Sequence, residues 1–468
     1  MRARGIVSVV LLVFCLSAAT PVAAAEGDKI VRTKPGLLGI NVIGAVCGLL
    51  GNVCQVLLAI DVPPGASTDD ANLFLVRGLL TNTVTPLLGL LGLVAIEPDL
   101  PVSALQDDWD GNQASAAVLN ALNRRDPMDY HGTTVWEGYL DQTATGIFGL
   151  RYAHCAEGLT GAGTVAAIDT GVDLEHPALA PVLTQGYDFV SNAPGGADTG
   201  ADQASAAVLN GVNAVNGSTI VVIDQASAAV LNQPGNEGVG HGTMVAGAVH
   251  LVAPGAQIMP LRAFGPDGTG HTSDILRAIY YAVHYGADVL NMSFSRDTHS
   301  PELERALAHA RSRGLVAVAS AGNDGGTGLV YPAAIGGVLG VGSTTNLDQR
   351  SRFSNHGSPL VHVGAPGESI VTPYPGGTYA AATGTSFAAP LVAGAVSLLL
   401  EMDPTATPDE VAALLANAKR LPPRQDLNHG RLALRRAIVA ARLLWPGAPQ
   451  PQPVESCTAT GVDWTPAP

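Results

Sequence analysis

Gly384-Thr385-Ser386-Phe387-Ala388-Ala389-Pro390 runs straight into an apolar stretch that ends at Met402. From Phe387 to Leu400 almost nothing is polar. A helix that is apolar on every side is a buried helix, so this segment belongs inside a domain. Pro390 fits its first turn, where the missing N–H had no helical partner. Ser386 then stands at the helix N-terminus, among unsatisfied N–H groups and at the positive end of the dipole. That is a place where an oxyanion is stabilised. An isolated Gly-Thr-Ser would be only an N-cap. Three other stretches argue for a nucleophile.

The first is 164–173, where an unbroken apolar run ends in Asp169-Thr170-Gly171-Val172-Asp173. Such a run is a buried parallel strand that delivers a carboxylate at its C-terminal end. Sites in doubly wound sheets lie at those ends. Asp173 lies farther into the loop and His176-Pro177 closes it, so both read as structural. The second is Gly240-His241-Gly242-Thr243 at the head of an apolar helix over 244–251. Small neighbours leave its imidazole free to meet a carboxylate on one side and a hydroxyl on the other. The third is a strand over 315–320 that ends in Ala321-Gly322-Asn323-Asp324, where the Asn323 amide can donate to an oxyanion. Between and beyond them the pattern alternates in βαβ fashion. Strands are expected over 257–263 and 287–294, and helices over 273–285, 301–313, 408–420 and 432–444.

The chain has 468 residues, enough for a large core and two or three units. A net charge of −15 argues against nucleic acid or other polyanionic partners. Residues 1–25 read as a secretory signal, with Arg2 and Arg4, an apolar core over 6–19 and Ala23-Ala24-Ala25 at the cleavage site. No later segment reads as a membrane anchor. Residues 26–102 read as a small α/β unit, with strands over 29–32, 73–76 and 93–96 and a helix within 37–58. The polar stretch 103–150 reads as a connector, 151–445 as the main domain, and the proline-rich 446–468 as a tail. Of the cysteines left after cleavage, Cys155 and Cys457 are the candidates for one disulfide, and none matches a zinc pattern.

The octapeptide Gln-Ala-Ser-Ala-Ala-Val-Leu-Asn occurs at 113–120, 203–210 and 225–232, the last two inside an insertion at about 196–236. Its uneven spacing excludes a solenoid. The copies read either as surface ribbons that pair as strands or as a duplicated loop. Pairing of the first copy with the insertion would steady a precursor.

Asp169, His241 in Gly-His-Gly-Thr, Asn323 in Ser-Ala-Gly-Asn and Ser386 in Gly-Thr-Ser occur in that order, and the chain thereby resembles the subtilisin-like serine proteases. Phe353-Ser354-Asn355-His356-Gly357 and Ala365-Pro366-Gly367 add to the likeness, which spans about 150–440. The resemblance implies a doubly wound, mostly parallel α/β sheet with helices on both faces, and catalysis by Asp169, His241 and Ser386 with Asn323 in the oxyanion hole. It implies a substrate-binding surface from Gly268, Thr269 and Gly270, from Ser293, Phe294 and Ser295, and from Ser320, Ala321 and Gly322. Residues 26–102 resemble the family's ferredoxin-like inhibitory prodomain, whose final strand would lead a cleavable segment into the site.

Three positions depart from the family pattern. Phe387 stands for the usual Met, Leu391 for the usual His, and Ser295 for a Gly, where its Cβ would crowd the edge on which a peptide pairs. The implied partners are protein or peptide substrates and the chain's own prodomain. No cofactor is needed for catalysis; structural calcium is a family trait, but no calcium-loop pattern is present. The implied activity is that of a secreted, self-processing endopeptidase. A peptide-joining subtilase, or an interaction protein that only cleaves itself, are the alternatives.

Overall fold

The computed structural model describes residues 28–33, 54–60, 72–78, 93–104, 116–198, 213–215, 218–220, 238–422 and 426–453. Four strands come first: β1 (Lys29–Thr33), β2 (Cys54–Ala59), β3 (Asn72–Gly78) and β4 (Leu93–Pro98). They form an antiparallel sheet in the order β2-β3-β1-β4, which is the strand order and direction of a ferredoxin-like unit. The helix expected within 37–58 gives way at its end to β2, and residues 37–53 lie outside the described ones. Next come β5 (Pro101–Ser103), α1 (Ala116–Asn123), β6 (Pro127–Tyr130), β7 (Thr133–Trp136), α2 (Glu137–Leu140) and α3 (Thr143–Phe148).

From Ala121 onward these elements are part of the main core, not a polar connector. Leu122, Tyr130, Val135, Tyr139, Leu140 and Phe148 are buried in one cluster with the long apolar helix. Five residues of the first octapeptide, Ala116 to Asn120, lie in α1. A helix offers no strand edge, so the strand-pairing expectation fails for this copy. Its Ala-rich composition favours a helix once there is a surface to dock on. The other two copies lie outside the described residues.

The main domain continues with β8 (Thr164–Asp169), β9 (Gly186–Asp188), β10 (Ala193–Gly195), β11 (Asn213–Val215) and β12 (Ser218–Ile220). Then follow α4 (His241–Val252), β13 (Gln257–Arg262), β14 (Thr269–His271), α5 (Thr272–His284), β15 (Val289–Met292) and α6 (Pro301–Ser312). Last come β16 (Val316–Ser320), β17 (Val338–Thr344), β18 (Val363–Pro366), β19 (Ile370–Tyr374), β20 (Thr378–Ala382), α7 (Thr385–Met402), α8 (Pro408–Leu415) and α9 (Leu434–Leu444).

Eight strands form the central sheet in the order β10-β9-β13-β8-β15-β16-β17-β18. Every pair is parallel except β9 with β10. Side chains on β8 alternate between two cores. Val165 and Ala167 face the α4 and α7 side, while Ala166 and Ile168 face the α5 and α6 side. The sheet is therefore doubly wound, and the order reverses at β8, with β13 on one flank and β15 on the other. A site is expected at the C-terminal end of β8. Helix α7 is long and apolar enough to cross a membrane, yet it is enclosed by protein on all sides.

The N-terminal sheet sits on the α5 and α6 face. Ile30, Ile60, Leu73 and Leu75 share a core with Ile275, Leu303 and Leu307. Arg32 Nε donates to both Glu302 carboxylate oxygens at 2.9 and 2.8 Å. Glu97 Oε1 accepts from Ser300 Oγ at 2.6 Å and its Oε2 from Glu302 N at 3.2 Å, which caps α6. Asp99 accepts from Ser273 N at 2.9 Å and from Ser273 Oγ at 2.7 Å, which caps α5. Carboxylates belong at helix N-termini, where the dipole and the orphan N–H groups meet them.

At the other end of the chain, Trp445 and Ala448 are buried in the main core, and Gln452 N donates to Glu157 O at 3.1 Å. The start of the proline-rich tail is thus packed down. Cys155 is disulfide-bonded, and Cys457, its expected partner, lies outside the described residues.

Candidate active site

The apolar run of β8 places Asp169 at the sheet's switch point, and α4 opens with His241 beside it. His241 Nδ1 donates to Asp169 Oδ1 at 2.8 Å, and the same oxygen accepts from Thr170 N at 2.7 Å. This leaves Nε2 as the lone-pair nitrogen of the ring; it is buried and has no hydrogen-bond partner. Asp169 and His241 are only 1% and 2% exposed, so water does not compete for their contact.

Two glycines allow that contact. A Cβ on Gly242 would stand 2.1 Å from Gly171 O and 3.1 Å from Asp169 Oδ1. Gly240, at φ +85°, takes the left-handed turn that starts α4, and a Cβ there would meet the Tyr374 ring at 2.4 Å. Asp173 and His176 hold loops, as expected of structural residues. Asp173 Oδ2 accepts from Gly376 N at 2.9 Å, and His176 Nε2 donates to Thr378 O at 3.0 Å.

Ser386 lies in the first turn of α7, immediately after Thr385. Its Oγ donates to Ser293 O at 3.3 Å, and Ser293 Oγ donates back to Ser386 O at 2.8 Å. Phe387, at the usual Met position, fills the space beside His241 with ring centroids 5.4 Å apart. Leu391, at the usual His position, is buried in the main core. Asn323 follows β16, and its Oδ1 accepts from Thr385 N at 2.9 Å and Thr385 Oγ1 at 2.8 Å. Those two bonds fix the amide plane and turn Nδ2, the donor, away from Thr385. Asn323 and Ser386 are thereby tied to one helical turn.

The other expected site residues form a groove. β5 pairs antiparallel with β14, with Ser103 opposite Thr269 and Val102 opposite Gly270. Ala104 N donates to Gly268 O at 2.8 Å. On its other edge Ser103 is bridged antiparallel to Ser295, whose N donates to Ser103 O at 3.2 Å. The Ser295 side chain therefore does not prevent pairing on this edge; its Oγ is buried without a hydrogen-bond partner. Phe294 turns its ring into the core against Phe264, centroids 5.0 Å apart. Ser320 Oγ donates to Phe294 O at 3.4 Å, Ala321 N to Val341 O at 3.0 Å, and Gly322 N to Thr385 Oγ1 at 3.2 Å. Ser320 and Ala321 thus support the groove's floor, and Gly322 supports the turn that carries Asn323.

The sequence reading missed the strand that lies in the groove. The final strand of residues 26–102 was expected to lead a following segment into the site, and the structure has β4 at the edge of the N-terminal sheet with Pro101 to Ala104 after it in the groove. Thr272 and Arg296 were missed as well. Thr272 Oγ1 donates to Leu100 O at 3.0 Å and accepts from Arg296 Nη1 at 2.6 Å, which holds the incoming strand. The available signal was Pro98-Asp99-Leu100-Pro101, where each proline holds the residue before it extended.

A family model described as the subtilase family matches residues 161–436. The chain is 37% identical over 245 residues to a thermophilic serine proteinase of Bacillus sp. (strain AK1), covering 50% of this chain and 51% of that one. It is 34% identical over 258 residues to subtilisin BL of Lederbergia lenta, covering 53% of this chain and 80% of that one. Among solved structures, that of a cold adapted subtilisin-like serine proteinase matches at a TM-score of 0.46 and 28% identity, over 58% of this chain and 88% of that one. The chain spans about half the length of the Bacillus relative.

Proposed function

The chain belongs to the subtilase family of serine endopeptidases, and from that premise we propose that it is a secreted enzyme, made as a self-processing zymogen, that hydrolyses peptide bonds through Asp169, His241 and Ser386. The observation that carries the reading is the buried 2.8 Å contact of His241 Nδ1 with Asp169 Oδ1 at the sheet's switch point.

A substrate segment lies extended between β14 and residues 293–295, hydrogen-bonded on both edges as β5 is. Ser386 Oγ leaves the Ser293 carbonyl and gives its proton to His241 Nε2 as it attacks the substrate carbonyl carbon. Asp169 holds the proton on Nδ1, so that Nε2 is the basic nitrogen, and it stabilises the imidazolium that forms. The developing oxyanion accepts from Ser386 N–H at the positive end of α7 and from Asn323 Nδ2. The imidazolium then protonates the leaving amine, and water repeats the sequence on the ester. These steps draw on no cofactor. For structural calcium, the described residues hold no acidic cluster with metal-ligand spacing.

The ferredoxin-like strand order and the capping of α5 and α6 by Asp99 and Glu97 support residues 26–102 as an inhibitory prodomain. Residues 1–25 read as the export signal, and the partners are protein or peptide substrates and the prodomain itself. The test is turnover of casein by the purified processed chain, with Ser386→Ala as control. Hydrolysis lost in that variant is the expected result; a folded wild-type chain without turnover, or an equally active variant, contradicts the proposal.

A further inference from the structure

Residues 101–104 enter the groove in one direction and in one register. Both flanking strands run antiparallel to them, so each step forward along 101–104 is a step backward along 293–295. Ser103 faces Ser295. Antiparallel hydrogen-bonded rungs recur every second residue, so a substrate chain that kept this register past Ala104 would set the residue two past Ser103 opposite Ser293. In the sequence that residue is Leu105. The Ser293 carbonyl is the one that receives Ser386 Oγ at 3.3 Å. The segment therefore runs toward the nucleophile, and its register selects a single peptide bond.

We propose that Leu105–Gln106 is the bond the enzyme cleaves to mature itself, and that a leucine side chain is accepted next to the scissile bond. This rests on the hydrolytic reading of the site. Leu105 N–H donates to Ser293 O in the cleavage complex, which frees Ser386 Oγ. Oγ attacks the Leu105 carbonyl carbon and its proton passes to His241 Nε2. The C–N bond breaks, and the same proton leaves on the Gln106 nitrogen. Water then attacks the Leu105–Ser386 ester, giving a Leu105 carboxylate and restoring the Ser386 hydroxyl. Residues up to Leu105 remain bound as product, and this gives latency: Ser103 and Ala104 hold the edges that a substrate needs. The mature chain starts at Gln106.

The test uses the full precursor. Peptide mass spectrometry reads the new termini, since an N-terminal Gln cyclises and blocks sequential degradation. The expected result is a new C-terminus at Leu105 and a new N-terminus at Gln106, with the Ser386→Ala precursor intact. Leu105→Pro removes the N–H that pairs with Ser293, so processing at this bond should slow at least tenfold. Leu105→Met, which keeps the N–H and an apolar side chain, should be cut at the same bond at close to the wild-type rate. A new N-terminus at any other residue, wild-type processing of Leu105→Pro, or cleavage of the Ser386→Ala precursor at Gln106 overturns the proposal. If Ser386 is labelled by a fluorophosphonate and casein is degraded while the terminus lies elsewhere, only this inference fails. Absence of both activities overturns the proposed function with it.

Discussion

Replacing Asn323 by alanine removes two things that the structure separates. One is Nδ2, the proposed oxyanion donor. The other is Oδ1, which accepts from Thr385 N and Oγ1 at the start of α7. One donor at an oxyanion is worth about 2.7–4 kcal/mol, a figure set in subtilisin, a relative, and adopted for this chain. At 1.36 kcal/mol per decade, kcat should fall roughly 10²–10³-fold, with KM little changed because the donor acts mainly in the transition state. Losing Oδ1 leaves two buried donors unmet, which costs about 1–3 kcal/mol each at most and lowers Tm. Asn323→Asp divides the two effects. It keeps an acceptor for Thr385 and so should keep most of Tm. It also puts a negative charge where the oxyanion forms, so kcat should fall at least as far as in the alanine variant. Steady-state kinetics on a chromogenic peptide and thermal melts of both variants supply the numbers. A loss confined to KM, or near-wild-type kcat in Asn323→Asp, would refute the assignment.

Asp169→Asn should lower kcat by about 10⁴, because an amide facing Nδ1 favours the tautomer with its proton on Nε2; kcat against pH, with a melt to confirm folding, checks it. Gly242→Ala should be less stable by at least about 1–3 kcal/mol, read by urea denaturation, because a Cβ there meets Gly171 O at 2.1 Å. Burial, in a neighbourhood where His131 adds repulsion, holds His154 at about 4 and His250 at about 3, both below the ordinary 6.5. The unfolded chain therefore binds protons that these sites refuse, and stability is full above pH 6.5 and falls as pH drops from there toward 4. For His154 the loss is on the order of 3 kcal/mol at 1.36 kcal/mol per pH unit. His154→Gln, measured in the Ser386→Ala background, should show a shallower fall of the urea midpoint over that range. Arg32→Ala takes one of two arginine partners from the buried Glu302 carboxylate and leaves Arg305; the loss should stay below the about 3–5 kcal/mol of a buried charge left unpaired, and the lag before casein hydrolysis appears should shorten.

The site was more legible than its surroundings, for physical reasons. Strand β8 and helix α7 announce themselves because both are buried on all sides, and continuous apolar runs survive in the sequence whatever packs around them. Asp169, His241, Asn323 and Ser386 then fall at element ends, where glycine and threonine mark the boundaries. Strand pairing of the first octapeptide was expected because its Ala-Ala-Val-Leu core is apolar and uncharged, a composition that suits a helix equally well. Alanine and leucine favour a helix, and Ala121 and Leu122 near the end of α1 are buried in the main core. The strand expected over 287–294 stops at Met292 because Ser293 to Ser295 leave the central sheet to form the groove's edge. Pairing of Pro101 to Ser103 with Thr269 to His271 joins positions far apart in the chain, and no local pattern encodes such a partner.

The most direct measurement is the site of covalent capture. The processed enzyme is treated with a fluorophosphonate, digested by another protease, and the modified peptide sequenced by mass spectrometry. A single adduct on the Ser386 oxygen is expected, with none on a folded Ser386→Ala variant and capture slowed by orders of magnitude in Asp169→Asn. An adduct on any other serine, or undiminished labelling of the Ser386→Ala variant, would contradict it.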